Sequence, residues 1–207
     1  MGAKNINIQT EDSVLIEEFK TGSRQAYNLL VQKYQKRIYW VVRKMVIDHD
    51  DANDITQDVF IKIYQSLNDF RGESQFFTYI YRIAVNFSIN HLNKNKRLNN
   101  GRVDIDAEAF RIADNCTMPG EAYDDKLRER LLEDAVSSLP DQQRAVFNLR
   151  YYEGLSYEEI SKVMDRSVGG LKANYFHAVK KIQDFLKSKN VFEGFKEEKK
   201  VKENINL

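Results

Sequence analysis

Ile55, Val59, Ile63 and Leu67 stand four residues apart, with Asp54, Asp58 and Lys62 set between them. At that spacing the apolar side chains share one face of a 3.6-residue helix and the charges lie on another. A chain made of such stretches must bury its stripes against one another, which points to packed helices. The same period recurs upstream, where Ala26, Leu30, Tyr34, Ile38, Val41, Val42 and Met45 follow Ser23, a good N-cap residue. A shorter helix is expected around Val14 to Phe19. Only 2 Pro and 9 Gly interrupt 207 residues, which favours long helices over many short strands, and the length exceeds a typical single domain. The expected fold is all-α, with two small helical domains.

Asn68 to Glu73, with Gly72 at its centre, reads as a turn into a helix from about Ser74 to Arg97. The stripe of that helix includes Phe76, Ile80, Ile83, Ala84 and Phe87, and its end is basic, with Lys94, Lys96 and Arg97. From Leu98 to Asp125 the periodicity fails and Asn, Asp and Gly accumulate, so this stretch is expected to be a flexible acidic linker. A helix from about Lys126 to Ser138 follows, then another from Pro140 to Tyr152, closed by Gly154. Ser156-Tyr157-Glu158-Glu159 fits a capping box, which starts a short helix ending near Met164. After Asp165-Arg166, Ser167 opens a helix striped by Val168, Leu171, Tyr175, Val179, Ile182 and Leu186. The expected organisation is a domain over residues 10–97, a linker over 98–125, a helix-turn-helix domain over 126–187 and a frayed charged tail over 188–207, where Phe192 and Phe195 can pack locally.

The formal net charge of +1 conceals a polarity along the chain. Residues 24–97 carry 12 basic and 7 acidic side chains, residues 98–125 carry 2 and 7, and residues 126–187 carry 11 and 9. A basic block beside an acidic one suits contact with a polyanion. Cys116 stands alone and cannot form an internal disulfide, and neither a signal peptide nor an apolar run near the roughly 20 residues of a membrane span is present. The expectation is a cytoplasmic protein without membrane insertion. Enzyme chemistry finds no support: His49, His91 and His177 fall in separate elements, no Cys/His metal spacing occurs, and no phosphate-binding glycine loop precedes a Lys. Asp48, Asp50 and Asp51 read as a helix-capping loop, because a calcium loop needs a longer set of ligands. No metal or cofactor is expected.

Two constellations point to nucleic acid. The second helix of the helix-turn-helix offers Lys172, Ala173, Asn174, Phe176, His177, Lys180 and Lys181 away from its stripe, a surface able to enter a major groove. Gly169-Gly170 removes bulk near its start. The alternative is a solvated face on an ordinary helical hairpin. In the first domain, Phe70, Phe77, Tyr79 and Tyr81 cluster near Arg71 and Arg82, and rings beside cations are what unstacked bases require. Here the alternative is that the rings are core. Asn86 is either a satisfied buried amide or a reader of a base edge. Asp54, Gln57, Asp58 and Lys62 form either a solvated face or a docking surface for a partner helix, and spacing leaves both open.

Two blocks resemble the extracytoplasmic-function (ECF) class of the sigma-70 family. Residues 51–86, DANDITQDVFIKIYQSLNDFRGESQFFTYIYRIAVN, are similar to region 2, and residues 139–182, LPDQQRAVFNLRYYEGLSYEEISKVMDRSVGGLKANYFHAVKKI, to region 4. The resemblance implies a non-catalytic specificity subunit that binds core RNA polymerase, reads minus-35 and minus-10 promoter DNA and melts it. The alternative function is a free-standing helix-turn-helix transcription regulator, which leaves the aromatic cluster unexplained. By the resemblance, Asp54, Gln57, Asp58, Ile61 and Lys62 dock on the clamp helices of the largest polymerase subunit. Phe70, Arg71, Tyr79, Arg82 and Asn86 stand where the family melts the minus-10 element and pockets a flipped base, with Lys94, Lys96 and Arg97 on nearby phosphates. Lys172, Ala173, Asn174, Phe176, His177 and Lys180, with the helix starts at Ser156 and Ser167, stand where it reads the minus-35 element. An anti-sigma factor is a common partner in this class. Tyr79 replaces a frequent Trp, Asn90 a frequent Asp, and Ala173, Asn174 and His177 replace residues common in the recognition helix, which bears on the promoter sequence read.

Overall fold

The computed structural model describes residues 6–99 and 121–189, so most of the expected linker and all but the start of the expected tail, including Phe192 and Phe195, lie outside the described residues. Within them the chain is helical: α1 (Asp12–Lys20), α2 (Arg24–Val46), α3 (His49–Ser66), α4 (Phe76–Asn99), α5 (Glu121–Ser137), α6 (Asp141–Tyr151), α7 (Tyr157–Met164) and α8 (Val168–Ser188). A single 3₁₀ turn, Leu67–Asp69, extends the end of α3.

The caps fall where local chemistry places them. The Ser23 hydroxyl accepts from the Ala26 N–H, the Asp48 carboxylate from the Asp51 N–H at 2.9 Å, and the Ser167 hydroxyl from the Gly170 N–H. Asp48 therefore acts as a cap, as the sequence suggests for this acidic cluster. Ser156 and Glu159 form both bonds of the capping box at α7. Boundaries differ in two places. Helix α5 begins at Glu121, five residues before the expected start at Lys126. Pro140 is the N-cap of α6 and not its first helical residue. The left-handed C-cap at Asp165, φ 53°, makes the turn between α7 and α8, a conformation that Asp tolerates better than bulkier residues.

Helices α1 to α4 surround a core of Leu15, Leu30, Ile38, Val42, Met45, Val59, Ile63, Leu67 and Ile80. The four-residue repeat of α3 is buried throughout, with Ile63 and Leu67 at 0% exposure. Tyr27 sits between Phe19 and Tyr64 and donates its hydroxyl to the Phe60 carbonyl at 2.7 Å. Burial, followed by the nearby Tyr64, pushes the Tyr27 phenol up to about 12.

The second half is divided. Ala135, Val136, Leu139, Phe147, Ala178 and Ile182 form a small core among α5, α6 and α8. Ala145, Val146, Leu149, Leu155, Ile160, Val163 and Leu171 belong instead to the same apolar cluster as α1 to α4. Helix α7 packs on α4, and α6 packs on both α2 and α4.

Candidate nucleic-acid interface

Helix α4 and the loop before it build a shallow cup. Phe70 and Tyr79 meet at 4.9 Å between ring centroids, and Phe76 closes on Phe70 edge-on at 6.2 Å. The Tyr79 hydroxyl and Ser66 Oγ share a 2.6 Å hydrogen bond, and Lys20 Nζ donates to the Phe70 carbonyl at 3.0 Å, so the loop is tied at both sides. Gly72, at φ 73°, provides the left-handed turn that swings the loop over the head of α4. The resulting cavity, about 440 Å³, is lined by Ser66, Phe70, Arg71, Ser74, Tyr79 and Arg82 among others. Four residues expected from sequence to act on the minus-10 element thus share one concavity.

Asn86 lies one helical turn beyond Arg82 and is exposed, so it is not a buried, satisfied amide. Lys94, Lys96 and Arg97 are exposed further along the same helix. Phe77 and Tyr79 are half-buried, whereas Tyr81 is fully buried and belongs to the core. The Tyr81 hydroxyl donates to Glu153 Oε2 at 2.6 Å. Burial, then that bond to a carboxylate, raises the Tyr81 pKa far above the ordinary phenol range.

The outward face of α8 is open. Lys172, Ala173, His177 and Lys180 are exposed, Asn174 is half-buried, and Phe176 has 65% of its surface in solvent. An aromatic ring left this open on a recognition helix suits contact with a thymine methyl or a sugar. At the start of α7 the Ser156 hydroxyl and the Ser156 and Glu159 N–H groups are engaged in the capping box. Those bonds, the backbone one foremost, hold the Glu159 carboxyl below its ordinary range. On α3, Asp54, Gln57, Asp58 and Lys62 are exposed, as are Ile61 and Tyr64, two large apolar side chains at 53% and 46% exposure.

Sequence reasoning did not find the residues that join the halves. Arg144, only 7% exposed, donates to the Met45 carbonyl at 2.6 Å and to the Leu139 and Ser137 carbonyls. Asn148 donates to the Lys44 carbonyl at 2.9 Å, and Arg37 to Glu153 at 2.9 Å. The pairs that cross between the halves are 99 to 116 residues apart in sequence, so no periodic signal marks them. Among the described residues no group of three or more His, Cys, Asp or Glu converges as a metal site, and no helix is long and apolar enough to cross a membrane.

A helix-turn-helix with an open recognition face, joined to an aromatic cup at the head of a basic helix, defines an all-helical DNA-binding protein of two parts. The Sigma-70 region 2 family model matches residues 30–98, and the Sigma-70, region 4 model matches residues 129–182. The chain is 36% identical over 182 residues to the ECF RNA polymerase sigma-E factor of Haemophilus influenzae, covering 85% of this chain and 95% of that protein. It is 34% identical over 183 residues to the RNA polymerase sigma-H factor of Pseudomonas aeruginosa, covering 86% and 95%. The solved structure of CnrH in complex with the cytosolic domain of CnrY shares the fold, with a TM-score of 0.62 at 20% identity over 86% of this chain and 97% of that one. The chain belongs to the ECF class of the sigma-70 family. It is a sigma factor of bacterial RNA polymerase, directing promoter-specific initiation, and the free-standing regulator is not favoured, because both family regions are present in order. Proteins of this family are subunits of the polymerase rather than its catalytic centre.

Proposed function

We propose that residues 10–97 carry polymerase docking and minus-10 melting, and that residues 126–187 carry minus-35 reading. Asp54, Gln57, Asp58, Ile61 and Lys62 take the clamp helices of the largest core subunit. Phe70, Arg71, Tyr79 and Arg82 receive an extruded base, and Asn86 reads its edge or that of a neighbour. Unstacking a base costs a few kcal/mol, which a pocket must return through ring stacking and edge hydrogen bonds. Lys94, Lys96 and Arg97 hold phosphates without reading sequence. Lys172, Ala173, Asn174, Phe176, His177 and Lys180 face the minus-35 element, with Ser156 and Ser167 at helix starts beside phosphates. The chain itself performs no bond chemistry and works in the cytoplasm.

The observation that carries this reading is the cup, in which Phe70, Arg71, Tyr79 and Arg82 converge at the head of a basic helix. An anti-sigma partner is in keeping with a solved protein of the same fold, the sigma factor RpoE from Bartonella quintana in complex with the anti-sigma factor NepR. Co-elution with bacterial core polymerase and initiation from promoter DNA test the assignment. Asp54→Arg/Asp58→Arg is expected to lose core binding and initiation together. Phe70→Ala/Asn86→Ala is expected to lose initiation while keeping core binding. Tight binding of the wild type to duplex DNA without any core binding would defeat the assignment.

A further inference from the structure

The two facing rings of the cup are held from different helices. Ser66 Oγ donates to the Lys62 carbonyl one turn back at 2.7 Å, so the single hydroxyl proton of Ser66 is spent within α3. The 2.6 Å bond to Tyr79 must then run inward, with the Tyr79 hydroxyl donating to a Ser66 lone pair. Tyr79 is thereby fastened at both ends, by its backbone on α4 and by its oxygen on the last residue of α3.

Phe70 needs more help, because residues 70–75 follow neither helix nor strand. Its N–H donates to the Leu67 carbonyl at 3.2 Å, and its carbonyl accepts from Lys20 Nζ, at the end of α1, at 3.0 Å. Glu17 Oε1, also 3.0 Å from Lys20 Nζ, steadies that ammonium over the loop. Beneath both rings lies Phe76, only 4% exposed, with its centroid 6.2 Å from Phe70 and 6.5 Å from Tyr79. Ser66 has no proton left to offer a base, and Lys20 does not line the cavity, so what these two residues supply is geometry. Rings that are set before a base arrives need no ordering when it is captured.

Resting on the minus-10 assignment above, we propose that Ser66 and Lys20 are positioning residues of the base-capturing cup. Ser66 sets the Tyr79 ring and Lys20 sets the Phe70 ring, so the cup is formed before a base is extruded. With either bond removed, the cup is formed for only part of the time, and capture weakens by that fraction.

The test uses holoenzyme assembled from the full chain and bacterial core polymerase. A forked duplex with six randomised bases in its single-stranded arm, enriched on wild-type holoenzyme, supplies the probe, and each arm base is then made abasic in turn. Loss of one base should weaken wild-type binding by on the order of tenfold, the worth of a stacked base. Ser66→Ala, Tyr79→Phe and Lys20→Met should each lose most of that factor on the intact probe, yet bind the abasic probe and core polymerase as the wild type does. Ser66→Ala combined with Tyr79→Phe should lose no more than either alone, because both break one bond. Ser66→Thr and Lys20→Arg keep the donor groups and should restore discrimination. Full discrimination in Ser66→Ala and Lys20→Met, or equal weakening on intact and abasic probes, would overturn the positioning role. A wild type indifferent to every abasic site would defeat base capture itself, and the positioning role with it.

Discussion

The two halves bury their apolar residues differently. Helices α1 to α4 enclose their own core, in which Leu15, Ile38, Ile63 and Ile80 have no exposed surface. Helices α5, α6 and α8 share only a small cluster, and the inward residues of α6 and α7 complete the core of the first half. A small domain buries a smaller share of its surface and gains stability from what it leans on. The second half, with the smaller core of its own, is the one that leans on its neighbour. On the assignment proposed above, the larger core belongs to the half that carries the minus-10 site.

That contrast is open to direct attack. Ile63→Ala empties a site within the first core and is expected to cost about 2–5 kcal/mol. Differential scanning calorimetry should show both halves going down together at lower temperature. Ile160→Ala makes a comparable hole at the α7 seam, and the expected outcome is two resolved transitions, the second half melting first. One unsplit transition in both variants would make the halves a single cooperative unit and remove the contrast.

A smaller effect is expected from Arg144→Met. It keeps the bulk of the side chain but leaves the Met45 and Leu139 carbonyls unpaired, a loss of about 1–3 kcal/mol in urea unfolding. Burial lowers the Arg144 pKa from the ordinary guanidinium range, which marks the cost of holding that charge in the seam.

The smallest effect is local to the second half. The folded pKa of Glu159 is depressed, so its capping contribution is fully present above the unfolded value and is lost as pH falls through the folded one. Thermal melts between neutral pH and about pH 3 should show this acid-side loss in the wild type. Glu159→Gln should lack that component. An unchanged acid profile in Glu159→Gln would mean the capping box contributes nothing to the docked half.

Much of this was legible in the chain because helix chemistry is local. Ser23, Asp48, Ser156 and Ser167 cap their helices through bonds that span three residues, and the repeat from Ile55 to Leu67 identifies its own buried face. The exposed faces of α3 and α8 follow from the same arithmetic. The aromatic cluster was only half legible. Phe70 and Tyr79 line the cup, but Tyr81, two residues on, turns inward, because two residues on a helix differ by about 200°.

By itself, then, the amino-acid sequence determined the all-helical class, the caps, the buried stripes and the surfaces that resemble polymerase and promoter contacts. Only the tertiary structure decided which cations are free to use. Arg82 and Lys96 are exposed basic residues by every local criterion, yet the Lys162 carbonyl and Asp141 hold them. Glu153 meets Tyr81 across 72 residues and Arg144 meets Met45 across 99. Helical periodicity carries no information over such separations, because it fixes which face a side chain takes and not which surface arrives to cover it.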